Sequence, residues 1–197
     1  MKETNCIELN ELDEYLKKNL KPSRYRHSMG VVKMAVSLAE IYGANREKAR
    51  RAAMAHDIAK CLTLEESNRL VRYYGLPFKY LGNPAIAHSK LGVQILQSEF
   101  HWRDEEVLSA VSYHTTGKAA MTLLEEIIYV SDAIEEGRDY EDAPRLRRLA
   151  AENLDEACRE VLEFSIDSLK SQGRKIDSDT IEAYTYIKNK IQDSKEN

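Results

Sequence analysis

The sequence has few of the features that mark a disulfide-rich or zinc-ribbon protein, because it contains only three cysteines in 197 residues. Cys6, Cys61 and Cys158 are odd in number, far apart and outside any CxxC pair, which argues against a disulfide framework and a zinc ribbon. Free thiols are typical of a reducing compartment, so we expect a cytoplasmic protein. A chain of this length can bury about 70% of the surface that it exposes when unfolded, and it needs no such crosslinks to fold.

Long apolar runs and an excess of basic charge are also missing. The longest uninterrupted apolar runs are about four residues, as in 127–130, far below the ~20 residues of a membrane-spanning helix. The N-terminus lacks the apolar segment of a signal peptide. The 29 basic and 33 acidic side chains give a net charge of −4, which argues against nucleic acid or a membrane surface as a partner.

Helix-boundary residues recur along the whole chain and predict an all-α protein. The predicted N-caps are Asn10, Ser23, Asn45, Thr63, Asn83, Asp104, Thr122, Asn153 and Asp177 or Ser178. The predicted helix ends include Gly43, Gly75, Gly117, Gly137 and Gly173. Because no alternating stretch is bounded by hairpin turns, strands are not expected. The length favours one domain over residues 1–197, with roughly nine helices.

Four of the five histidines lie in predicted helices among small or apolar neighbours. They are His27, His56, His88 and His114, whereas His101 is expected at the surface. A single histidine on an apolar face is more often a hydrogen-bonded core residue than a metal ligand. The residues alone therefore leave both interpretations open.

Two aspartates share this unusual setting. Asp57 follows His56 in an alanine-rich helix, and Asp132 interrupts the most apolar helix of the chain. A buried unpaired carboxylate costs several kcal/mol, so each of these groups needs a partner. Imidazole and carboxylate together suit a divalent transition ion such as iron, manganese, cobalt or zinc, and ligands from several helices can converge in a bundle. Spacing alone does not establish that convergence.

The order of these residues resembles the HD-domain metal-dependent phosphohydrolases, and more closely a bacterial branch of symmetrical dinucleoside-tetraphosphate hydrolases. The segments that carry the resemblance are 24–32, 55–60, 87–92, 114–118 and 131–138, within a motif core at 24–140. His-Asp alone is a weak signal, but the ordered set with His-Thr-Thr-Gly and Asp-x-Ile-Glu-x-Gly-Arg is specific. The branch tends to have proline where this chain has Glu136.

The resemblance implies a single all-helical HD-domain bundle around a metal site, with the C-terminal helices at 144–192 packed on the motif core. The ligands that it implies for one ion are His27, His56, Asp57 and Asp132. His88 and His114 would either hold a second ion bridged by Asp57 or contact phosphates directly. Iron is the metal that we expect, with manganese, cobalt or zinc as alternatives.

The activity implied is hydrolysis of a phosphoanhydride by a metal-activated water, with diadenosine tetraphosphate cut symmetrically into two ADP. The resemblance points to Asp57, Lys60 and Arg138 as catalytic residues. The residues expected to bind substrate are Arg24, Lys60, His88, His114, Thr115 and Arg138. Lys60 and Arg138 can also be ordinary helix-end cations, which the helix dipole favours. The turn at 173–177 is a further candidate to close over a nucleotide.

Two other functions fit the same residues. One is a mononuclear nucleotidase that acts on nucleoside monophosphates, and the other is a metal-bearing nucleotide sensor without turnover. All three interpretations give a nucleotide as partner, without nucleic acid or membrane, and they allow a homodimer.

Overall fold

The computed structural model describes residues 2–196, with the side chains from residue 9 onward, and it is all-α as expected. Its helices are α1 (Lys2–Asn19), α2 (Pro22–Tyr42), α3 (Arg46–Ala55), α4 (Leu64–Tyr73), α5 (Pro84–Ser98), α6 (Glu105–Tyr113), α7 (Leu123–Ile134), α8 (Ala143–Glu152), α9 (Leu154–Ser171) and α10 (Ser178–Glu196). A short 3₁₀ turn spans Phe78–Tyr80, and no strand occurs within residues 2–196.

Side-chain caps begin five of these helices where the sequence predicts them. Thr63 and Thr122 each form a reciprocal capping box with the glutamate three residues later. Asn45, Asp104 and Asn153 accept hydrogen bonds from backbone N–H groups in the first turns of α3, α6 and α9. These oxygens satisfy donors that the first turn of a helix leaves without a partner.

Three predicted starts are wrong or lack the expected cap bond. Helix α1 begins at Lys2, well before Asn10, because no glycine or proline interrupts the preceding residues. Helix α2 begins at Pro22 rather than after Ser23, since proline fits the first helical position, where no N–H bond is needed. Asn83 stands before α5 as predicted, but its side chain makes no capping hydrogen bond.

The ends of two helices differ from the prediction in a way that shapes the site. Helix α3 stops at Ala55, so His56 and Asp57 lie in the turns that follow it rather than inside a helix. Helix α7 stops at Ile134 rather than near Gly137, because Glu135 takes an extended backbone with ψ of 159°. At both ends, the polar residues that follow the helix leave the direction of the helix axis.

Helix α8 brings the number of helices within residues 2–196 to ten, one more than the nine predicted starts. The resemblance places C-terminal helices from residue 144, but no predicted N-cap marks the start of this one. The residue before it, Asp142, makes no side-chain cap, and a proline follows at its start. Its buried side chains are few, Ala143, Leu146 and Ala150. The missing side-chain cap removes the signal that marks the starts of α3, α4, α6, α7 and α9.

The bundle is centred on α7, which packs against α2, α3, α6, α8 and α9. Alanines at positions 49, 52, 53 and 55 of α3 are fully buried, and their small size lets α2 approach closely. Helices α8 and α10 both pack on α9, and α8 also packs directly on α7 and α2. Within residues 2–196 no helix combines the length and hydropathy that crossing a bilayer requires.

Cys61 and Cys158 are unpaired, as expected, and the side chain of Cys6 lies outside the described residues. Cys158 is buried in the core, and burial raises the pKa of its thiol. Neither described cysteine belongs to the histidine and aspartate clusters described below.

Candidate metal centre

The four histidines of interest and the two aspartates come together from five places in the fold. His27 lies in the first turns of α2, His88 in those of α5, and Asp132 in the last turn of α7. His56 and His114 directly follow α3 and α6. The overlapping groups are His27, His56 and Asp57; His56, His114 and Asp132; and Asp57, His88 and His114, with ligand atoms within 4.8 Å of one another in each group. His101 is exposed and apart from them.

The three overlapping sets form two larger groups that share Asp57. In the first group, which surrounds His27, the Nε2 atom of His27 lies 2.9 Å from Asp132 Oδ1 and 3.3 Å from His56 Nε2. Asp57 Oδ2 lies 3.6 Å from His56 Nε2 and 3.9 Å from His27 Nε2. Two imidazole nitrogens and two carboxylates thus face a common point.

The second group uses the other oxygen of Asp57. Its Oδ1 lies 3.1 Å from His88 Nε2 and 3.7 Å from His114 Nε2. These two Nε2 atoms are 3.0 Å apart. Asp57 therefore stands between the two groups, with one carboxylate oxygen toward each.

Backbone carbonyls fix the tautomer of three of these histidines. The contacts from Nδ1 are His56 to Ala53 O (2.7 Å), His88 to Pro84 O (3.1 Å) and His114 to Val111 O (2.7 Å). Because a carbonyl oxygen only accepts, each Nδ1 carries the proton and donates it. The lone pairs of the three Nε2 atoms consequently point into the cluster, as in metal-binding histidines.

This crowding of acceptor atoms fits a bound cation. His88 Nε2 and His114 Nε2 meet lone pair to lone pair, and Asp57 Oδ1 is buried without a hydrogen bond of good geometry. A buried carboxylate oxygen without a donor is costly unless a positive charge compensates it. Nitrogen and oxygen donors in this mixture suit a divalent transition ion.

Both carboxyl groups of the cluster are held in the charged form. Burial alone would raise the pKa of Asp57, but the imidazoles of His56, His114 and His88 outweigh burial and place it well below the ordinary value. Burial likewise opposes ionisation of Asp132, yet its contact with His27 lowers its pKa strongly. Ionised carboxylates are the form that binds metal.

The imidazoles divide into two kinds. Burial lowers the pKa of His56 to about 4 and also lowers that of His88, so both are neutral at neutral pH and free to act as ligands. Burial would lower the pKa of His27 as well, but its contacts with Asp132 and Glu135 outweigh burial and raise it. A bound cation would compete with that proton for the carboxylates.

Three cations that the sequence singled out lie against the cluster. Lys60 Nζ is 3.2 Å from His88 Nε2 and 3.7 Å from Asp57 Oδ1. Arg24 Nη1 donates to Asp57 Oδ2 at 3.3 Å. Arg138 Nη2 donates to Asp132 Oδ1 at 2.8 Å. Three cations therefore lie at the cluster, although the whole chain is slightly acidic.

Two cavities flank the cluster, and Arg138 lines both. The aromatic cavity, of about 430 Å³, is lined by His114, Thr115, Asp132, Arg138, Tyr140, Phe164 and Arg174, among others. The basic groove, of about 630 Å³, is lined by Arg24, Arg26, His27, Lys33, Glu135, Glu136 and Arg138, among others. Thr115 also donates to Ser89 Oγ at 3.2 Å, so its hydroxyl is oriented at the cavity wall.

The aromatic cavity contains a pair of rings that sequence reasoning did not identify. Tyr140 and Phe164 stack with centroids 5.7 Å apart and ring planes 12° apart, and Phe164 is 59% exposed. Eleven tyrosines gave no means of selecting Tyr140. Arg174, from the 173–177 turn that the sequence did suggest, lines the same cavity.

Glu135 was also missed, although its motif was recognised. Its carboxylate is buried and Oε1 lies 3.1 Å from His27 Nδ1. Its neighbour Glu136 is exposed, so the position at which the related branch tends to have proline contacts none of the cluster residues. Two adjacent glutamates look alike in sequence, and only the end of α7 decides which one turns inward.

Comparison with known proteins gives a consistent result. The HD domain profile matches residues 24–137. The symmetrical bis(5'-nucleosyl)-tetraphosphatase of Bacillus subtilis is 35% identical over 173 residues, covering 87% of this chain and 93% of that protein. The protein of the same name from Staphylococcus aureus is 33% identical, covering 90% and 94%. A crystal structure of a predicted HD superfamily hydrolase involved in NAD metabolism, from Clostridium acetobutylicum, is 36% identical with a TM-score of 0.88, covering 92% and 97%.

Proposed function

We propose that this chain, which belongs to the HD domain family, hydrolyses a dinucleoside tetraphosphate symmetrically into two nucleoside diphosphates. The relatives named for this reaction match over nearly their whole length. The observation that carries the proposal is a buried histidine and aspartate cluster between two cavities that share Arg138. A reaction centre between two cavities suits a substrate with a nucleoside at each end.

The cluster would hold a divalent metal, and we propose iron. The proposed ligands of one ion are His27, His56, Asp57 and Asp132, and those of a second are Asp57, His88 and His114. The donors are imidazole nitrogens and carboxylate oxygens, a set that iron accepts and that manganese, cobalt and zinc share. When bound, such an ion supplies positive charge and lowers the pKa of water toward about 7.

The cations around the cluster would stabilise charge on the phosphates. Lys60 lies beside His88 and Asp57, where its ammonium can neutralise the phosphate oxygens of a substrate. Arg138 reaches both cavities, so its guanidinium can hold phosphates on either side of the bond to be cleaved. Arg24 adds charge from the side of the basic groove, and the Thr115 hydroxyl offers a polar contact in the aromatic cavity.

The two cavities suggest how the halves of the substrate differ. The stacked rings of Tyr140 and Phe164 give the aromatic cavity a flat apolar surface suited to a nucleobase, with Arg174 nearby for phosphate. The basic groove has Arg24, Arg26 and few apolar side chains, and it suits the phosphates of the departing half.

Substrate comparison with the anaerobically purified protein tests this proposal. Elemental analysis should find a transition metal at about one or two ions per chain, the range that the two ligand groups allow. Diadenosine tetraphosphate should be hydrolysed much faster than AMP, with ADP as the nucleotide product. Orthophosphate release from AMP without ADP formation would favour a nucleotidase, and tight nucleotide binding without turnover would favour a sensor. Either result would overturn the proposal.

We also propose a location, a domain organisation and an oligomeric state for the protein. We place the protein in the cytoplasm, where thiols such as Cys61 and Cys158 stay reduced. We treat residues 1–197 as one domain, with terminal residues 1 and 197 outside the described structure. A homodimer is a further proposal. The molecular mass of the protein in solution distinguishes a monomer from a dimer.

A further inference from the structure

Glu135 holds the one cluster histidine whose Nδ1 has no backbone partner among the described residues. The carboxylate follows α7 directly, is 4% exposed, and places Oε1 3.1 Å from His27 Nδ1. A carboxylate oxygen accepts, so His27 Nδ1 donates and the other ring nitrogen, Nε2, faces Asp132 Oδ1 at 2.9 Å. Glu135 thus performs for His27 the task that main-chain carbonyls perform for His56, His88 and His114.

Two glycines make room for this carboxylate. A Cβ atom at Gly30, one turn after His27 on α2, would overlap Glu135 Oε2. A Cβ at Gly137 would lie 2.9 Å from Oε1, too close for an ordinary contact. The N–H of Gly137 also donates to Oε2 at 2.6 Å. The carboxylate is therefore held from both sides, and its orientation toward His27 is fixed.

Arg147 fixes the backbone of the same turn. Its guanidinium, from α8, donates to the carbonyls of Ile134 at 2.6 Å, Glu135 at 2.8 Å and Arg138 at 2.6 Å. These carbonyls follow the end of α7, where helical partners are lacking. The turn therefore has a defined shape set by the protein alone.

We propose that Glu135 is a positioning residue that fixes the Nδ1–H tautomer of His27 and directs its Nε2 toward a bound metal ion. The inference rests on the proposed ligand role of His27. Partners of metal-ligating histidines typically change metal affinity by about 10- to 100-fold when removed. Glu136 offers a matched control, because it is the next residue, is 73% exposed and lies 3.9 Å from Lys33.

Zinc-loaded protein provides a test that does not depend on activity. Competition with a chelator should show zinc bound about 10- to 100-fold more weakly in Glu135→Ala than in the wild type, and nearly unchanged in Glu136→Ala. Long-range ¹H–¹⁵N spectra of the metal-free protein should show the Nδ1–H pattern of His27 altered or lost in Glu135→Ala, because no metal on Nε2 then fixes the proton on Nδ1. The patterns of His56, His88 and His114 should stay as in the wild type.

Two further variants distinguish a loss of positioning from a folding defect. Glu135→Gln retains an oxygen that can accept from His27, so it should recover part of the zinc affinity that Glu135→Ala loses. Gly30→Ala should weaken zinc binding in the same direction, because its methyl group displaces the carboxylate. Wild-type zinc affinity and an unchanged His27 pattern in Glu135→Ala or Gly30→Ala would refute the positioning role. A wild type that binds zinc but, when loaded with iron, leaves diadenosine tetraphosphate intact would refute only the proposed function.

Discussion

Asp57 is the residue that the two proposed ligand groups share. Its Oδ2 faces His56 and His27, while its Oδ1 faces His88 and His114. The side chain is 2% exposed, so water cannot take the place of a missing partner. Neighbouring imidazoles lower the pKa of this carboxyl despite its burial, which keeps a negative charge at the junction.

Replacing Asp57 with asparagine should remove metal and activity together. The amide keeps the size of the side chain but loses the charge that both groups share, so metal content and kcat should fall by more than the roughly 10- to 100-fold typical of partners outside the ligand set. Metal analysis and turnover measure the effect. Asp139→Asn, at an exposed position, should match the wild type. Full turnover by Asp57→Asn would contradict a role for the cluster in catalysis.

Arg138 should matter mainly for the reaction rather than for the fold. Arg138→Ala removes the guanidinium that touches Asp132 and lines both cavities, so kcat/KM should fall by about 100-fold, as for loss of one charge-stabilising donor. Arg138→Lys should recover only part of this, because an ammonium lacks the fork geometry. Steady-state kinetics provide the measurement, with exposed Arg148→Ala as control. If kcat/KM fell equally in Arg138→Ala and Arg148→Ala, the loss would reflect a general effect of removing positive charge.

Helices differ in how clearly the sequence indicates them, and the difference has a physical cause. Asn45, Thr63 and Thr122 accept backbone hydrogen bonds, so a local rule predicts the starts that they cap. Helix α8 has no such cap and depends on tertiary contacts with α7 and α9. The end of α7 at Ile134 likewise depends on Arg147, which lies on α8 and is distant in sequence.

The arginine that joins α8 to α7 should contribute measurably to stability. Arg147→Ala removes three charge-assisted hydrogen bonds to carbonyls, for which we expect a loss of about 2 kcal/mol. For a protein of this size the melting temperature should fall by roughly 4–8 °C. Thermal unfolding followed by circular dichroism measures it, with Arg148→Ala as the exposed control on the same helix. An unchanged melting temperature would show that α8 holds the turn without this side chain.

A buried glutamate between α7, α9 and α10 should make stability depend on pH. Burial raises the pKa of Glu126 to about 7, although Lys190 opposes the shift. Because the folded state holds this proton more tightly than the unfolded chain, the stability that the group contributes is lost as pH rises from about 4.5 to about 7. A shift of this size corresponds to an effect on the order of 3 kcal/mol.

Denaturant unfolding at several pH values tests this directly. The free energy of unfolding of Glu126→Gln relative to the wild type should increase as pH rises through that range, since glutamine does not titrate. Glu126 and Glu152 line a common cavity, but Glu152 is exposed, so Glu152→Gln should show no such trend. Parallel pH profiles for Glu126→Gln and the wild type would mean that Glu126 does not titrate in this window.

At the scale of the whole molecule, five segments bring six polar side chains to one point, with His56 and Asp57 contributed by the same segment. The sequence identifies those side chains because histidine and aspartate are conspicuous on apolar helices. It does not show their partners, since Glu135 is distinguished from Glu136 only by the path of the chain after α7. The pairing of Tyr140 with Phe164 likewise depends on how α9 packs, which no local pattern encodes.

The distribution of charge accounts for the proposed attraction of this acidic protein for a polyphosphate. The net charge of −4 is spread over the surface, while Arg24, Lys60 and Arg138 lie at the cluster between the two cavities. Local positive potential in a concave site governs ligand binding more than the total charge does. The proposed attraction for a tetraphosphate is therefore local.

Hydrolysis of diadenosine tetraphosphate in ¹⁸O-labelled water tests the central claim most directly. Attack by water at an inner phosphorus, next to the cluster and between the cavities, should give two ADP per substrate. One of the two should carry a single ¹⁸O in its β-phosphate, and a chelator should stop the reaction. Formation of AMP and ATP, or ¹⁸O found only in orthophosphate, would contradict symmetrical cleavage at this centre.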